Sequence, residues 1–535
     1  MPEPLPPSRA RWVLAAVILA SGIVFLDSTI VNVALPRIGQ DLPTTFLGTL
    51  EGQAYVTSGY LAVLSALLIV AGAMADRYGR RRVFSVGLAL FGLTSAMCGV
   101  APTMELLVVS RLLQGAAGAL LVPGSLSIIT ASFEGRARAR AFGVWAAATS
   151  ALTVLGPLVG GLLVDLLSWR VAFLVNVPLV AIALYATLRA VPESRDEQAT
   201  GRIDWLGSIV IAVAVGGISF GLIRGQESQW SEPVAFVALA VGVAAAVMFP
   251  ILMFTRPDPL VPPSLFRRRE FAVINLSTFL IYGALYVTSL LQSVFLQGVL
   301  GYTAVGAAAV GLPVGILLTL GSTRVGSLAG RLGTRPFLVT GPMVMAAGLL
   351  WFARVPATSQ AWLLEPGAGA YWPPVDVLVD VLPATLLFGV GITLIVAPLT
   401  TALMASVPVR NAGLGSAINN AVSRVGQPLL LAVLFVAITA TFYSTLGDLA
   451  PEVDTDSPEV REAVQPLNPP PDDATADQAA AIDEASTDAF HLAMIANAGM
   501  LVAGAVVNGL GLRGRRRVTE AEVGEAPVAG TAPQG

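Results

Sequence analysis

The chain has 535 residues, of which 55% are hydrophobic and only 12% charged, and its mean hydropathy is +0.76. A soluble chain carries about a quarter of its residues charged, so this composition specifies a polytopic membrane protein. The formal charge of −3 conceals a strong segregation of sign along the chain, and no nucleic-acid partner is implied. All 31 basic residues are arginine, beside one histidine, His491, and one cysteine, Cys98. Without lysine neither a phosphate-binding P-loop nor a Schiff base can be built, and a single His and Cys do not make a zinc site of the usual kind. The composition therefore argues against an enzyme and against a cofactor, and leaves ion or solute gradients as the source of work.

A helix needs about 20 apolar residues to cross the hydrocarbon. Fourteen candidates follow in order: 12–35, 52–75, 83–102, 105–131, 139–165, 170–190, 204–223, 234–254, 271–298, 303–328, 337–354, 382–406, 412–442 and 489–512. The first is too long for a signal peptide and is expected to be retained. Arginines crowd the links after even-numbered spans, as Arg77 to Arg82, Arg136 to Arg140, Arg267 to Arg269 and Arg331/Arg335 show. Short cytoplasmic loops are the basic ones, so both termini are expected in the cytoplasm and the chain in the plasma membrane. Residues 443–488, rich in Asp, Glu and Pro, read as an extended or partly disordered external loop. The tail 513–535 reads as disordered.

The link GAMADRYGRRRVF at 72–84 returns in weaker form as GSLAGRLGTR at 326–335. This repeat separates an earlier set of six helices, 11–190, from a later set, 271–512, with the pair at 204–254 between them. Paired repeats suit alternating access, in which two bundles rock about a central site. Gly72, Asp76, Arg77, Gly79 and Arg80 form a candidate latch between helix ends. Positive-inside topology alone accounts for the arginines but not for Asp76 or Gly79.

Asp27 lies deep in the first span, where an acid is costly unless paired or hydrated. Arg111 enters the fourth span from the same side, and at 1.5 Å per residue both lie roughly 10 Å below that surface. They form either a structural ion pair or a switch: burial favours the proton, Arg111 favours the charge, and small movements decide between them. Gln114 shares a helical face with Arg111. Asn32, Asn419, Asn420 and Arg424 are further polar groups expected to face a substrate cavity rather than lipid. Gly156, Pro157, Gly160 and Gly161 mark the fifth span either for close packing or for a functional bend. Asp165, near the end of that span, is expected to be structural.

Four stretches in order resemble the major facilitator superfamily, and within it the fourteen-helix drug:proton antiporters: LDSTIVNVALP at 26–36, GAMADRYGRRRV at 72–83, VVSRLLQGAAGALLVPGS at 108–125 and LGPLVGGLL at 155–163. NAGLGSAINNAVSRVG at 411–426 is similar to the group's thirteenth-helix region. Met74 replaces a usual leucine, Leu152 a frequent glycine, and Gly330 the acid of the second link. The resemblance implies an all-α major facilitator fold: two six-helix bundles around a cavity, plus two extra helices. It implies a monomeric proton-coupled exporter of small apolar or cationic compounds, with Arg111 in proton coupling and the proton gradient in place of any cofactor. A lipid or envelope-precursor exporter on the same fold, and a membrane sensor or scaffold without transport, are the alternatives.

Overall fold

The computed structural model describes residues 6–45, 47–195, 204–364, 372–407 and 412–512, and every regular element among them is helical. The earlier set comprises α1 (Pro7–Asp41), α2 (Thr49–Tyr78), α3 (Arg80–Gly99), α4 (Met104–Ser132), α5 (Gly135–Leu166), α6 (Trp169–Leu174) and α7 (Asn176–Ala190). The inserted pair is α8 (Trp205–Glu227) and α9 (Pro233–Thr255). After the short α10 (Pro263–Phe266) come α11 (Arg269–Gly298), α12 (Ala304–Leu332), α13 (Arg335–Phe352), α14 (Leu382–Ser406), α15 (Ala412–Leu449), α16 (Pro458–Ala463) and α17 (Ala476–Gly511). Among the described residues, thirteen helices are long and apolar enough to cross a membrane, with α6 and α7 together making one of them. The 32-residue α5 is a further long helix, apolar over Leu155–Leu166.

Local chemistry sets the helix starts. Thr103 accepts a hydrogen bond from the Leu106 amide, Asp204 from Gly207, and Thr303 from Gly306, each satisfying a donor that the first turn leaves open. The two basic links end their preceding helices in the same way. Gly79 has φ +107° and Gly333 has φ +89°, and their amides close onto Ala75 O and Ala329 O. A left-handed residue at a helix end favours glycine, so the sequence repeat is also a conformational one.

The two sets repeat one pairing scheme. In the earlier set α1 packs on α5 and α7, and α4 on α2 and α3; in the later set α11 packs on α15 and α17, and α14 on α12 and α13. The sets meet reciprocally, α5 against α12 and α2 against α15. The inserted α8 fills the groove beside α2 and α15, whereas α9 packs chiefly on α8 and leaves Phe236, Val241, Val247, Ile251 and Phe254 exposed, as a lipid-facing helix does. Gly217, Gly221 and Gly242 allow the inserted helices to approach backbone to backbone.

Two expectations change. The sixth span is broken at Val175 into α6 and α7. The acidic segment 443–488 is largely ordered: α15 runs on to Leu449, α16 follows, and α17 begins at Ala476 behind a Thr475/Gln478 capping box. Leu467 in its middle is fully buried, with its carbonyl against Gly298. Charge and proline made the segment look solvated, but its few apolar residues supply an anchor. The tail 513–535 lies outside the described residues, as does the link 196–203.

Candidate functional site

The depth match between Asp27 and Arg111 is a direct contact. Arg111 Nη1 donates to Asp27 Oδ2 at 2.6 Å, and both side chains are sealed from solvent, at 1% and 0% exposure. Further hydrogen bonds hold both side chains. Arg111 Nε donates to Val56 O at 3.0 Å, and Nη1 also donates to Gln114 Oε1 at 2.7 Å. Asp27 Oδ1 accepts from Gln114 Nε2 at 3.1 Å and from Asn176 Nδ2 at 2.9 Å. The Tyr60 ring stacks on the guanidinium, 4.0 Å from its carbon. Such satisfaction is what a buried ion pair requires.

Asn176 is a member that sequence reading missed. It is the first residue of α7, so the break at Val175 aims its side chain at Asp27, while Ser95 Oγ accepts its second hydrogen at 3.0 Å. The available signal was depth: one asparagine in the apolar run VAFLVNVPL, about as far into its span as Arg111 is into its own.

Behind this network lies a cavity of about 500 Å³ enclosed by both sets of helices. Arg111, Tyr60 and Asn32 face it from the earlier set, and Tyr282, Gln292 and Arg424 from the later one. Of the residues expected to line a substrate cavity, Asn32 and Arg424 do so. Gln114 stands behind the wall in the Asp27 network. Asn419 instead joins α15 to α11 through Asn275 and Thr278, and Asn420 lines a second space. That space is a vestibule of about 1110 Å³ toward the arginine-rich end, between Gly72, Asp76 and Arg80 on one side and Leu414, Ser416 and Asn420 on the other. No Asp or Glu lines the central cavity among the described residues.

At the opposite, acidic end the two sets close against each other. Asp165 accepts from the Ala304 and Val305 amides at 3.3 and 2.8 Å, capping α12 from α5. Ser293 Oγ donates to Asn32 O at 2.7 Å, and Gln297 Nε2 to Val33 O at 3.1 Å. The glycines of α5 divide their work. Gly156 and Gly160 lie on Thr29 and Ile30 of α1, whereas a Cβ on Gly161 would meet the Val305 backbone at 2.8 Å. Pro157 faces the cavity. Asp165 thereby joins the two sets.

In the candidate latch, Asp76 Oδ1 accepts from Arg80 Nε and Nη2 at 3.0 and 2.8 Å within the same link, and among the described residues it meets no backbone amide. Glu193, beyond α7, meets the helix start instead, accepting from the Arg81 amide at 3.1 Å and lying 3.7 Å from Arg82. Arg80 N donates to Ser194 O at 2.8 Å. Arg77 is exposed beside the Tyr78 ring. These contacts all lie within the earlier set, so they tie α3 to α7 rather than one set to the other.

A second buried ion pair went unread in the sequence. Glu51, in the first turn of α2 and fully buried, lies 3.2 Å from Arg224 of α8, whose fork also grips Glu232. Glu227 accepts from Gln465 of the acidic segment at 3.1 Å. The inserted pair is thereby strapped to the earlier set and to that segment.

Comparison with known proteins agrees with this architecture. The chain is 34% identical over 434 residues to the multidrug resistance protein Stp of Mycobacterium tuberculosis, covering 80% of this chain and 76% of that one. It is 32% identical to the methylenomycin A resistance protein of Bacillus subtilis, covering 81% and 89%, and 32% identical to the puromycin resistance protein pur8 of Streptomyces alboniger, covering 83% and 84%. Among solved structures, the POT family transporter PepTSo superposes with a TM-score of 0.62 at 14% identity over 95% of this chain and 98% of that one. A bacterial homologue of the lysosomal transporter Spinster, in an inward-facing, occupied conformation, superposes with a TM-score of 0.60 at 16% identity, covering 95% and 97%. At those identities the likeness is one of fold. The Major Facilitator Superfamily profile matches residues 17–431, so this polytopic membrane protein belongs to the Major Facilitator Superfamily.

Proposed function

We propose that the chain is a proton-coupled exporter of small, largely apolar organic molecules, of the fourteen-helix antiporter type, working as a monomer in the plasma membrane with its arginine-rich end in the cytoplasm. The observation that carries this reading is a solvent-free Asp27–Arg111 pair whose arginine lines a cavity between both helix sets, with Asp27 directly behind it. An acid at such a depth has to be paired or protonated, and each state favours a different arrangement of its neighbours. The vestibule at the arginine-rich end and the closed acidic end correspond to an inward-open state.

In the cycle we propose, a proton from outside neutralises Asp27, weakens its grip on Arg111 and lets the cavity return inward. Loss of that proton to the cytoplasm accompanies cargo loading. Asn176 and Gln114 hold the carboxylate in place through both states, since each can donate to an ionised or a protonated oxygen. The test is efflux from vesicles under an imposed pH gradient. Asp27→Asn is expected to lower gradient-driven efflux at least about a hundredfold, as loss of a general acid–base group does, while cargo binding persists. Undiminished coupled efflux in that variant would remove the proposal.

An apolar crevice of about 310 Å³ between α2, α4 and α8, bordered by Leu47, Val108, Leu112 and Phe220, favours the second reading, export of a lipid or envelope precursor. Transfer of a fluorescent lipid between leaflets by the reconstituted protein, with no efflux of soluble dyes, would decide for it.

A further inference from the structure

Arg424 is the charge that the proton-coupling network leaves over. It stands on α15 in the wall of the central cavity, 5% exposed, and its Nε has no hydrogen-bond partner among the described residues. Its guanidinium carbon lies 5.8 Å from the centre of the Phe25 ring on α1, across the cavity from its own helix set. A buried guanidinium without a counter-ion is held at a large free-energy cost. Ring contact of the cation–π kind offsets only a small part of that cost.

Among the described residues no acid is placed to neutralise it. Asp27 is committed, with Oδ2 on Arg111 and Oδ1 on Gln114 and Asn176. The sequence contains no Asp or Glu from 271 to 364 and none from 381 to 447, which covers nearly all of α11 to α15. The acids of α17 sit in its first turns, from Asp477 to Asp488, far along the helix from the cavity level. With Asp27 negative and Arg111 and Arg424 positive, the charge around the cavity is one positive in excess. Tyr60 Oη, on the same wall, meets no hydrogen-bond partner of good geometry among the described residues.

We propose that the central cavity binds a cargo carrying an anionic group, of the carboxylate class, which pairs with Arg424 and lays an apolar body against the rings of Phe25, Tyr282 and Phe388. This rests on the exporter reading above and names its substrate class. A planar guanidinium fork fits a carboxylate bidentately, and phosphonate or sulfonate groups share that chemistry. The remainder of the wall, with Leu285, Val314 and Leu349, is apolar, so a fully hydrated inorganic ion would forfeit its water without compensation. An organic acid brings the charge and the apolar surface together. Outward movement of an anion and inward movement of a proton carry charge in the same sense, so an inside-negative membrane potential assists both halves of such an exchange.

The test is equilibrium binding to the purified full-length protein in detergent, read by fluorescence, with three ligands of one aromatic body: 9-anthracenecarboxylate, its methyl ester and 9-anthracenemethylammonium. The carboxylate is expected to bind at least about tenfold more tightly than the ester, in line with a hydrogen-bonded charge pair, and the ammonium most weakly. Arg424→Gln is expected to erase the preference for the acid over the ester, and Arg424→Lys to keep part of it. Equal binding of acid and ester by the wild type, or an unchanged preference in Arg424→Gln, overturns the proposal. So does displacement of all three ligands alike by inorganic phosphate or chloride, which would make a small inorganic anion the occupant. If Arg424→Gln does not fold, the wild-type comparison and Arg424→Lys still decide. Asp27→Asn is expected to retain the preference for the acid, so a failure of proton coupling and a failure of anion recognition are read in separate measurements.

Discussion

A carboxylate and a guanidinium that are both sealed from water are stable only in each other's company, and this sets the expected pattern of single and double substitutions. Removing one partner of a buried pair costs about 3–5 kcal/mol, because the other charge is left uncompensated, whereas replacing both by apolar residues can be nearly neutral. Asp27→Leu and Arg111→Met are therefore each expected to lower the thermal unfolding midpoint in detergent, and the double variant to unfold nearer the wild type than either single one. Additive losses would mean that the two side chains stabilise the fold independently. Loss of transport in the double variant, with the fold restored, would assign the pair to function rather than to stability. Much of this site could be read from the chain because an acid or arginine deep in an apolar run stands out and its depth can be counted. Asn176 offered the same signal of depth, but its aim at Asp27 depends on a helix break, and the empty Nε of Arg424 shows only once the structure is seen to bring no acid near it.

At the scale of helices, contact between the two sets at the acidic end depends on the absence of a side chain. Gly161 lies against the backbone of Ala304 and Val305, where even a Cβ would be closer than packing allows, and Asp165 one turn on caps the same helix. Gly161→Leu is expected to hold α5 away from α12 and leave the acidic end open. The only cysteine, Cys98, is buried, and Cys98→Ser keeps a donor for Gln114, so spin labels can be placed at Leu167 and Leu363, which are exposed on the two sides of this contact. The distance between them is expected to lengthen by several ångströms with Gly161→Leu; an unchanged distance would assign closure to other contacts. The long helices were legible as runs of apolar residues with arginine at one end. The segment 443–488 was not, since its composition describes solvation while its structure turns on a few buried residues such as Tyr443 and Leu467. In the basic link, Gly79 stood out because topology alone does not account for it, but Glu193, which accepts from the Arg81 amide, lies more than a hundred residues away in the chain.

For the whole molecule, two rigid helix sets that pair reciprocally can close at only one end at a time, because tilting α5 onto α12 at the acidic end moves the opposite ends of the sets apart. The vestibule and the acidic-end contacts are thus two views of one state, and a single accessible position reports on both state and orientation. Ser416 lines the vestibule and lies outside the Asp27 network. In the Cys98→Ser background, Ser416→Cys is expected to react with a membrane-impermeant maleimide in inside-out vesicles and to be spared in intact cells, because the proposed orientation puts the arginine-rich loops in the cytoplasm. Adding Gly161→Leu is expected to slow that reaction about tenfold in inside-out vesicles, as opening one end closes the other and the reactive population shifts by that factor. Modification from outside the cell would reverse the assigned orientation. A rate untouched by Gly161→Leu would mean that the two ends move independently and that the sets do not rock as single bodies.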